Sequence, residues 1–319
     1  SEKICESERY IQIITLFARL DYVGNLNNEL AFCLATEKIM AVEIPERAEY
    51  IRVILCELNR IASHMLFYGV YGLDAGAMTP MLYAFRERER VQELFETVTG
   101  ARLMHNYIKI GGVKEDLPPD FDTRLSILLE QLKKGIEECD QLLSQNEMFL
   151  ARTKGVGSIS GPDAIDFGIS GPSLRAAGVP EDVRVTDPYS IYDRFDFGIP
   201  VGSHGDCWDR FYVRVEEMRE SIKIIEQAAD EMPRGDISAP LRRIVRPPKG
   251  EVFVRTESPR GDLSVFLVSD GTDIPYRVKV RSPSFANLQA LEYLLRDAYL
   301  ADAVLILGSI DIIMGEVDR

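Results

Sequence analysis

Long, uninterrupted helical periodicity limits what this chain can fold into more than any other feature. From residue 46 onward Ile51, Leu55, Leu58, Ala62, Met65 and Leu66 recur at helical intervals, while Arg47, Arg52, Glu57 and Arg60 fall mostly between them. Pro45, just before this run, suits the first turn of a helix, where a missing N–H costs little. Thr79-Pro80 repeats the signal as N-cap and first helical residue ahead of MLYAFRERERVQELFETVTG, and Gly100 supplies the stop. Residues 120–143 place Leu125, Leu128, Leu129, Leu132, Ile136 and Leu142 on one side, and residues 206–232 give a fourth long helix. Four amphipathic helices of this length predict a bundle.

Residues 155–205 are rich in Gly, Pro and Asp and read as loops and short helices. After Pro233 the period changes to that of strands: EVFVRTE, LSVFLVS and YRVKVRS are β-branched runs separated by SPRG and SDGTDIP turns. Tyr276, Val278 and Val280 alternate with Arg277, Lys279 and Arg281, as in a half-buried strand. A helix over 284–300 and an apolar stretch close the chain. The expectation is a mainly α (α+β) single domain over residues 1–319. It has a helical bundle over 1–232 with a loop-rich insert at 151–205, a small antiparallel sheet at 250–281, and a helix with a C-terminal segment at 284–319.

Charge and cysteine usage exclude several functions. Lys+Arg 37 against Asp+Glu 51 gives a net charge of −14, which argues against binding nucleic acid or anionic lipid through a basic face. Near the apolar middle the longest stretch free of Asp, Glu, Lys and Arg is 61–73, short of the ~20 residues a span needs. The start, SEKICESERY, has no basic and apolar leader and is expected to be a trimmed or incomplete beginning. Cys5, Cys33, Cys56, Cys139 and Cys207 are scattered, and the histidines are His64, His105 and His204. That pattern argues against a disulfide framework, a zinc ribbon or an iron–sulfur site held by this chain alone, and fits a reducing compartment. No phosphate-binding GxxxxGK[ST] loop or HExxH occurs, and GVGSISG misses the dinucleotide pattern. The RGD at 260–262 reads as a hairpin turn, Arg277, Lys279 and Arg281 as a solvated strand face, and RERER from Arg86 as a surface helix face.

Longer strings carry more information. ARLDYVGNLNNELAF, PERAEYIRVILCELNRIASHMLF, LDAGAMTPMLYAFRERE, VTGARLMHNYIKIGGVKEDLP, LRAAGV, VRVEEMRESIKIIEQA, YRVKVRSPSFANLQAL and the terminal MGEVDR resemble the D subunit of NADH-quinone oxidoreductase (respiratory complex I). The similarity runs in order from about Glu2 to Arg319. It implies a fold like the large subunit of nickel–iron hydrogenases, which bind their metals with two CxxC pairs. Here the first pair falls at Asp21 and Gly24, after Arg19-Leu20, and the second at about Ile313 and Glu316. None is a thiolate, so the soft-metal site and hydrogen chemistry are not expected. What the resemblance leaves is the cavity, used for a quinone head group beside the terminal 4Fe-4S cluster of the neighbouring B subunit.

Tyr22, in RLDY, matches the family's tyrosine that donates to the quinone carbonyl; by its neighbours alone it reads as a tyrosine on an apolar helix. Asp74, in LDAG, matches an aspartate that partners a quinone-ligating histidine. That histidine belongs to an N-terminal segment, ending in an HRG motif, that this sequence does not contain. Arg19 matches an arginine near the B subunit's cluster, where a fixed cation favours the reduced state. Many relatives have a histidine at Met104; here His105 follows it, expected near the cluster but facing elsewhere, so proton-coupled cluster chemistry is not assigned. His64 reads as a structural histidine of the bundle. Asp311 and Val317 are expected to line the cavity with the C-terminal run, and Arg319 to balance charge near the C-terminus. The short 232–248 connection suggests a compact prokaryotic or archaeal form.

The resemblance thus implies a quinone-binding core subunit of a proton-translocating oxidoreductase, inactive alone and holding no flavin, nicotinamide or metal. Its expected partners are the other complex I subunits, especially those designated B, C and I and the membrane-embedded one designated H. Its expected place is peripheral on the cytoplasmic face of a prokaryotic membrane, or the matrix side of the mitochondrial inner membrane. Alternatives are the equivalent subunit of a deazaflavin- or ferredoxin-fed complex reducing another acceptor, or a scaffold without a complete quinone site. A true hydrogenase large subunit would need the four missing cysteines.

Overall fold

A computed structural model describes residues 1–319. Two short helices, α1 (Glu2–Cys5) and α2 (Tyr10–Phe17), lead into α3 (Asn25–Met40), α4 (Glu46–Asp74) and α5 (Met78–Thr99). A small hairpin, β1 (Ile108–Lys109) with β2 (Gly112–Val113), precedes α6 (Phe121–Leu143). Short helices within 147–194 lead to α7 (Cys207–Glu231). The sheet β3 (Gly250–Ser258), β4 (Gly261–Ser269) and β5 (Arg277–Arg281) is antiparallel in that order, with Ser258 opposite Gly261 and Leu267 opposite Val278. The chain ends in α8 (Pro283–Leu288), a turn of helix at Leu291–Leu294, α9 (Ala303–Ile310) and α10 (Met314–Val317).

The four long helices fall where the apolar spacing puts them, and α4 is their axis. It packs on α5 and α7, α6 closes against both of those, and α3 carries the sheet. Being central, α4 is buried on nearly every face. Its charged residues therefore do not form a wet face as the periodicity implies: Arg52, Glu57 and Arg60 are buried and paired. Arg52 forks onto Glu37 of α3 and donates to the carbonyls of Lys109 and Gly112, which fixes the β1–β2 hairpin. RERER is likewise only part surface. Glu87 is buried against α6, held between Arg86 and Arg90.

Other expectations need correction at the level of single turns. Helix α5 starts at Met78 with Ala77 as N-cap, so Thr79-Pro80 lies inside the first turn, where the N–H that proline lacks would have no helical partner anyway. The expected helix over 284–300 is broken after Leu288 and again after Leu294, and Asp297 takes a left-handed backbone (φ 58°). The strand stripe Arg277, Lys279 and Arg281 is not simply solvated. Glu6, just after α1, and Glu2 of α1 pair with Arg277 and Lys279 respectively, and Glu2 also accepts from the Val280 N–H.

The tight β3–β4 connection is Pro259-Arg260, as the RGD reading expected, and its geometry rests on Gly261. Gly261 has φ +132°, and a Cβ there would lie 2.7 Å from Ser170 Oγ and 2.8 Å from the Ser170 carbonyl carbon. No side chain fits that approach. Gly261→Ala is expected to lower stability by about 1–3 kcal/mol, read as a lower thermal midpoint, whereas Gly76→Ala, at a positive φ with nothing near it, should cost less.

Candidate functional site

The turn joining α2 to α3 is shaped by Asp21. Its Oδ1 accepts from the N–H groups of Val23 (3.0 Å) and Gly24 (2.9 Å), and its Oδ2 pairs with Arg260. Gly24 is required, since a Cβ would fall 2.5 Å from Asp21 Oδ2 and 3.2 Å from Pro259 Cδ. The turn buries Leu20 and Asp21 and leaves Arg19 exposed. Tyr22 is also turned out, 43% exposed, and not on an apolar helix. Neighbouring segments pack closely: Gly315 of α10 lies against the carbonyls of Arg19 and Leu20.

Arg260 crosses from this turn to the end of α9. Its Nη1 reaches Asp21 and Ser63 Oγ (3.3 Å), and its Nη2 reaches Asp311 Oδ1 (3.5 Å). Asp311 ends α9 in a left-handed conformation (φ 57°, ψ 53°). From α7, Arg214 donates to the carbonyls of Ser309 (3.2 Å) and Ile310 (3.3 Å) and stands 3.8 Å from Asp311, while Arg210 donates to Ser309 Oγ (2.8 Å). These are the carbonyls a helix end leaves without partners, so α7 caps α9 with guanidinium groups. Burial pulls Arg214 down to about 10, still a cation at neutral pH.

Between α4 and α9 these groups bound a cavity of about 210 Å³. Leu66, Phe67, Val70, Tyr71, Leu307 and Ile312 form apolar walls, and Asp74, Arg260 and Asp311 supply the polar ones. Phe67 and Tyr71 stack with ring centres 5.2 Å apart, and Gly308 admits Asp74, whose Oδ2 would touch a Cβ there at 3.4 Å. Partial burial raises Asp74 above the ordinary aspartate value. A larger cavity, about 370 Å³, lies by α3 and β3, where Glu37 is engaged with Arg52, Arg255 with Asp262 and Lys38 with the Phe253 carbonyl. In the smaller one, apolar walls meet charges that converge from α4, the β3–β4 turn and the end of α9.

The structure thus brings Asp74 and Asp311 into one cavity. Tyr22, Arg19 and Val317 do not line it. They lie on the adjoining turn and on α10, tethered to it through Asp21, Arg260 and Asp311. Arg260 is the residue that sequence reading missed. RGD read as a turn, and nothing local signals a buried arginine. Asp21 pairs with Arg260, Gly24 shapes the turn, Ile313 lines the cavity, and Glu316 of α10 accepts from Ser284. No set of three or more His, Cys, Asp or Glu side chains is arranged to hold a metal.

The histidines lie away from the cavity walls. Glu29, buried in α3, accepts from the N–H groups of Asn106 (2.8 Å), Tyr107 (2.9 Å) and Ile108 (3.1 Å), and so fixes the loop after α5. That loop exposes Met104 and turns His105 inward, its ring 4.5 Å from Phe95 and its Nδ1 accepting from Asn25 Nδ2 (3.0 Å). Of Arg19 and His105, only Arg19 reaches the surface. His64 is fully buried, with Nε2 2.8 Å from Glu217. Arg319 stacks on Phe285 and lies 3.6 Å from Glu2.

This is a mainly helical subunit whose pocket is held by buried ion pairs. The chain belongs to the family described as the 49 Kd subunit of respiratory-chain NADH dehydrogenase, whose model matches residues 74–248 and 241–319. It is 49% identical over 319 residues to the D subunit of NADH-quinone oxidoreductase from Dehalococcoides mccartyi strain BAV1, covering 100% of this chain and 87% of the relative. The protein of the same name from Bacillus anthracis is 49% identical over the same length, with the same coverage. No helix is long and apolar enough to cross a membrane.

Burial pushes His105 down to about 4. Between that value and the ordinary ~6.5 the unfolded chain binds a proton that the folded chain refuses, so this contribution is intact above pH ~6.5 and is lost as pH falls toward 4. Wild type should therefore lose up to about 3 kcal/mol more than His105→Gln across that window, measured by urea unfolding at several pH values.

Proposed function

We propose that this chain forms one wall of a quinone-reduction chamber in a complex I-like, proton-translocating oxidoreductase. The adjoining wall and the electron donor, a 4Fe-4S cluster, come from a neighbour of the B-subunit type. The carrying observation is the cavity between α4 and α9, in which apolar faces lead to Asp74, Arg260 and Asp311. A quinone head group needs flat apolar walls and, as it gains electrons, cations and proton donors near its oxygens. Val70, Leu73, Leu307 and Met314 are exposed around this region, an apolar rim suited to burial against partner subunits.

In this reading the phenol of Tyr22 is a neutral hydrogen-bond and proton donor to a quinone oxygen, and its exposed turn lets it meet a head group held partly by the neighbour. Asp74 is the charge partner of the histidine that the family supplies. Asp311 and Val317 belong to the C-terminal wall, and Arg260 is a fixed cation at its end. Exposed Arg19 faces the partner's cluster, whose chemistry is one-electron delivery. The B, C, I and membrane-embedded H subunits would cover the remaining surfaces, on the cytoplasmic side of the membrane. His105 is given no part in electron transfer, because it faces inward.

Tyr22→Phe in the assembled complex should cut quinone reduction at least about tenfold, while leaving reduction of an artificial acceptor at the electron-entry end unchanged. Normal rates with both acceptors would remove Tyr22 from the site.

A further inference from the structure

Glu316 is a carboxyl near the cavity that the reading above leaves without a task. It is fully buried on α10. Its Oε2 accepts from the Ser284 N–H (3.2 Å) and hydroxyl (2.5 Å), with Ser282 Oγ at 3.5 Å, but its Oε1 has no partner. An ionised carboxylate with one bare oxygen in the interior is costly, and a proton on that oxygen lowers the cost by removing the charge.

The charged groups facing Glu316 are few. Asp21 comes from the turn after α2 and Arg260 from the β3–β4 turn, while α8 offers serine hydroxyls only. Burial, then the negative charge of Asp21, push Glu316 upward, and Arg260 opposes them. Arg260 is also held from the other side by Asp311 in the cavity wall, beyond which stands Arg214. One guanidinium therefore feels both the cavity and the Asp21–Glu316 corner.

Resting on the reading of this cavity as a quinone site, we propose that Glu316 is a proton-holding group whose occupancy follows the charge in the cavity, with Arg260 carrying the signal. Negative charge arriving beside Arg260 competes with Asp21 for the guanidinium. The Asp21–Glu316 corner then becomes more negative, and the Glu316 carboxylate takes a proton from water, forming one O–H bond with no electron transferred. When the charge leaves as neutral product the proton is released. Glu316 acts through Arg260 and touches no substrate, so it is a positioning group for charge.

The test is calorimetric binding to the assembled complex near pH 7, in two buffers of different ionisation heat. The probes are a hydroxynaphthoquinone, an anion at neutral pH, and its neutral methyl ether. The expected result is uptake of a fraction of a proton with the anion and none with the ether. Glu316→Gln should bind both without uptake, and Glu316→Asp should restore part of it. Anion binding without proton uptake in wild type, or full uptake retained in Glu316→Gln, overturns the proposal while leaving the quinone reading intact. Binding of neither probe overturns that reading and this one with it. If a variant fails to assemble, absence of uptake with the anion in wild type still overturns the proposal, and uptake is assigned to Glu316 by whichever of the two variants assembles.

Discussion

The buried guanidinium of Arg260 is the constraint on which the site depends. It is 1% exposed and touches the turn after α2, the middle of α4 and the end of α9, segments far apart in sequence. A lone buried cation is costly, and removing one partner of such a pair typically loses about 3–5 kcal/mol. The turn at 18–24 is short, α10 is a single turn, and Asp311 sits in a left-handed backbone. Arg260 ties these turns to the long helices through Asp21, Ser63 and Asp311.

A second buried ionic layer lies beneath it. Arg60, Arg184 and Arg175 are fully buried among Glu57, Asp182, Glu217 and Glu257, with His64 on Glu217 and Tyr192 donating to Glu57. Burial pushes Glu257 upward, so the layer can hold one carboxyl neutral and balance three arginines. Well-packed apolar groups could give equal stability, but not the same registry. Arg60 donates to the Glu257 carbonyl and Arg175 pairs with the Glu257 carboxylate, which fixes the end of β3 against α4. The turn that follows β3 is the one that carries Arg260. The deep network therefore sets the aim of the shallow one.

These two layers also explain what the sequence could and could not disclose. The long helices were legible because apolar spacing follows from the need to cover a core, and the strands were legible from alternation. Periodicity treats charge as a mark of solvent, however, and here Arg52, Glu57, Arg60, Glu87 and Arg260 are interior. Tyr22 and Asp74 came from family resemblance alone. That route names residues but not their surroundings, so Tyr22 looked like part of a helix and proved to be on an exposed turn. Nothing in PRGD reveals that its arginine meets aspartates from residues 21 and 311. Such a pairing is a property of tertiary closure.

Salt bridges join the turn after α2 to the end of α9, a task a metal centre can perform in other proteins, and the physical requirements are comparable. A metal centre links its ligands by strong, directional bonds at fixed angles. A guanidinium offers five donors in a rigid plane and can hold two carboxylates at once without the charge depending on pH. Asp21 and Asp311 receive that link from Arg260, while Glu316 is left close by with an unsatisfied oxygen. This arrangement keeps the turn after α2 against the C-terminal segment and bounds the neighbouring cavity. A fixed cation at the end of an apolar slot is already oriented toward charge that appears there, so little reorganisation is needed when it does. The same ionic links that hold these loops in place therefore give the cavity its polarity.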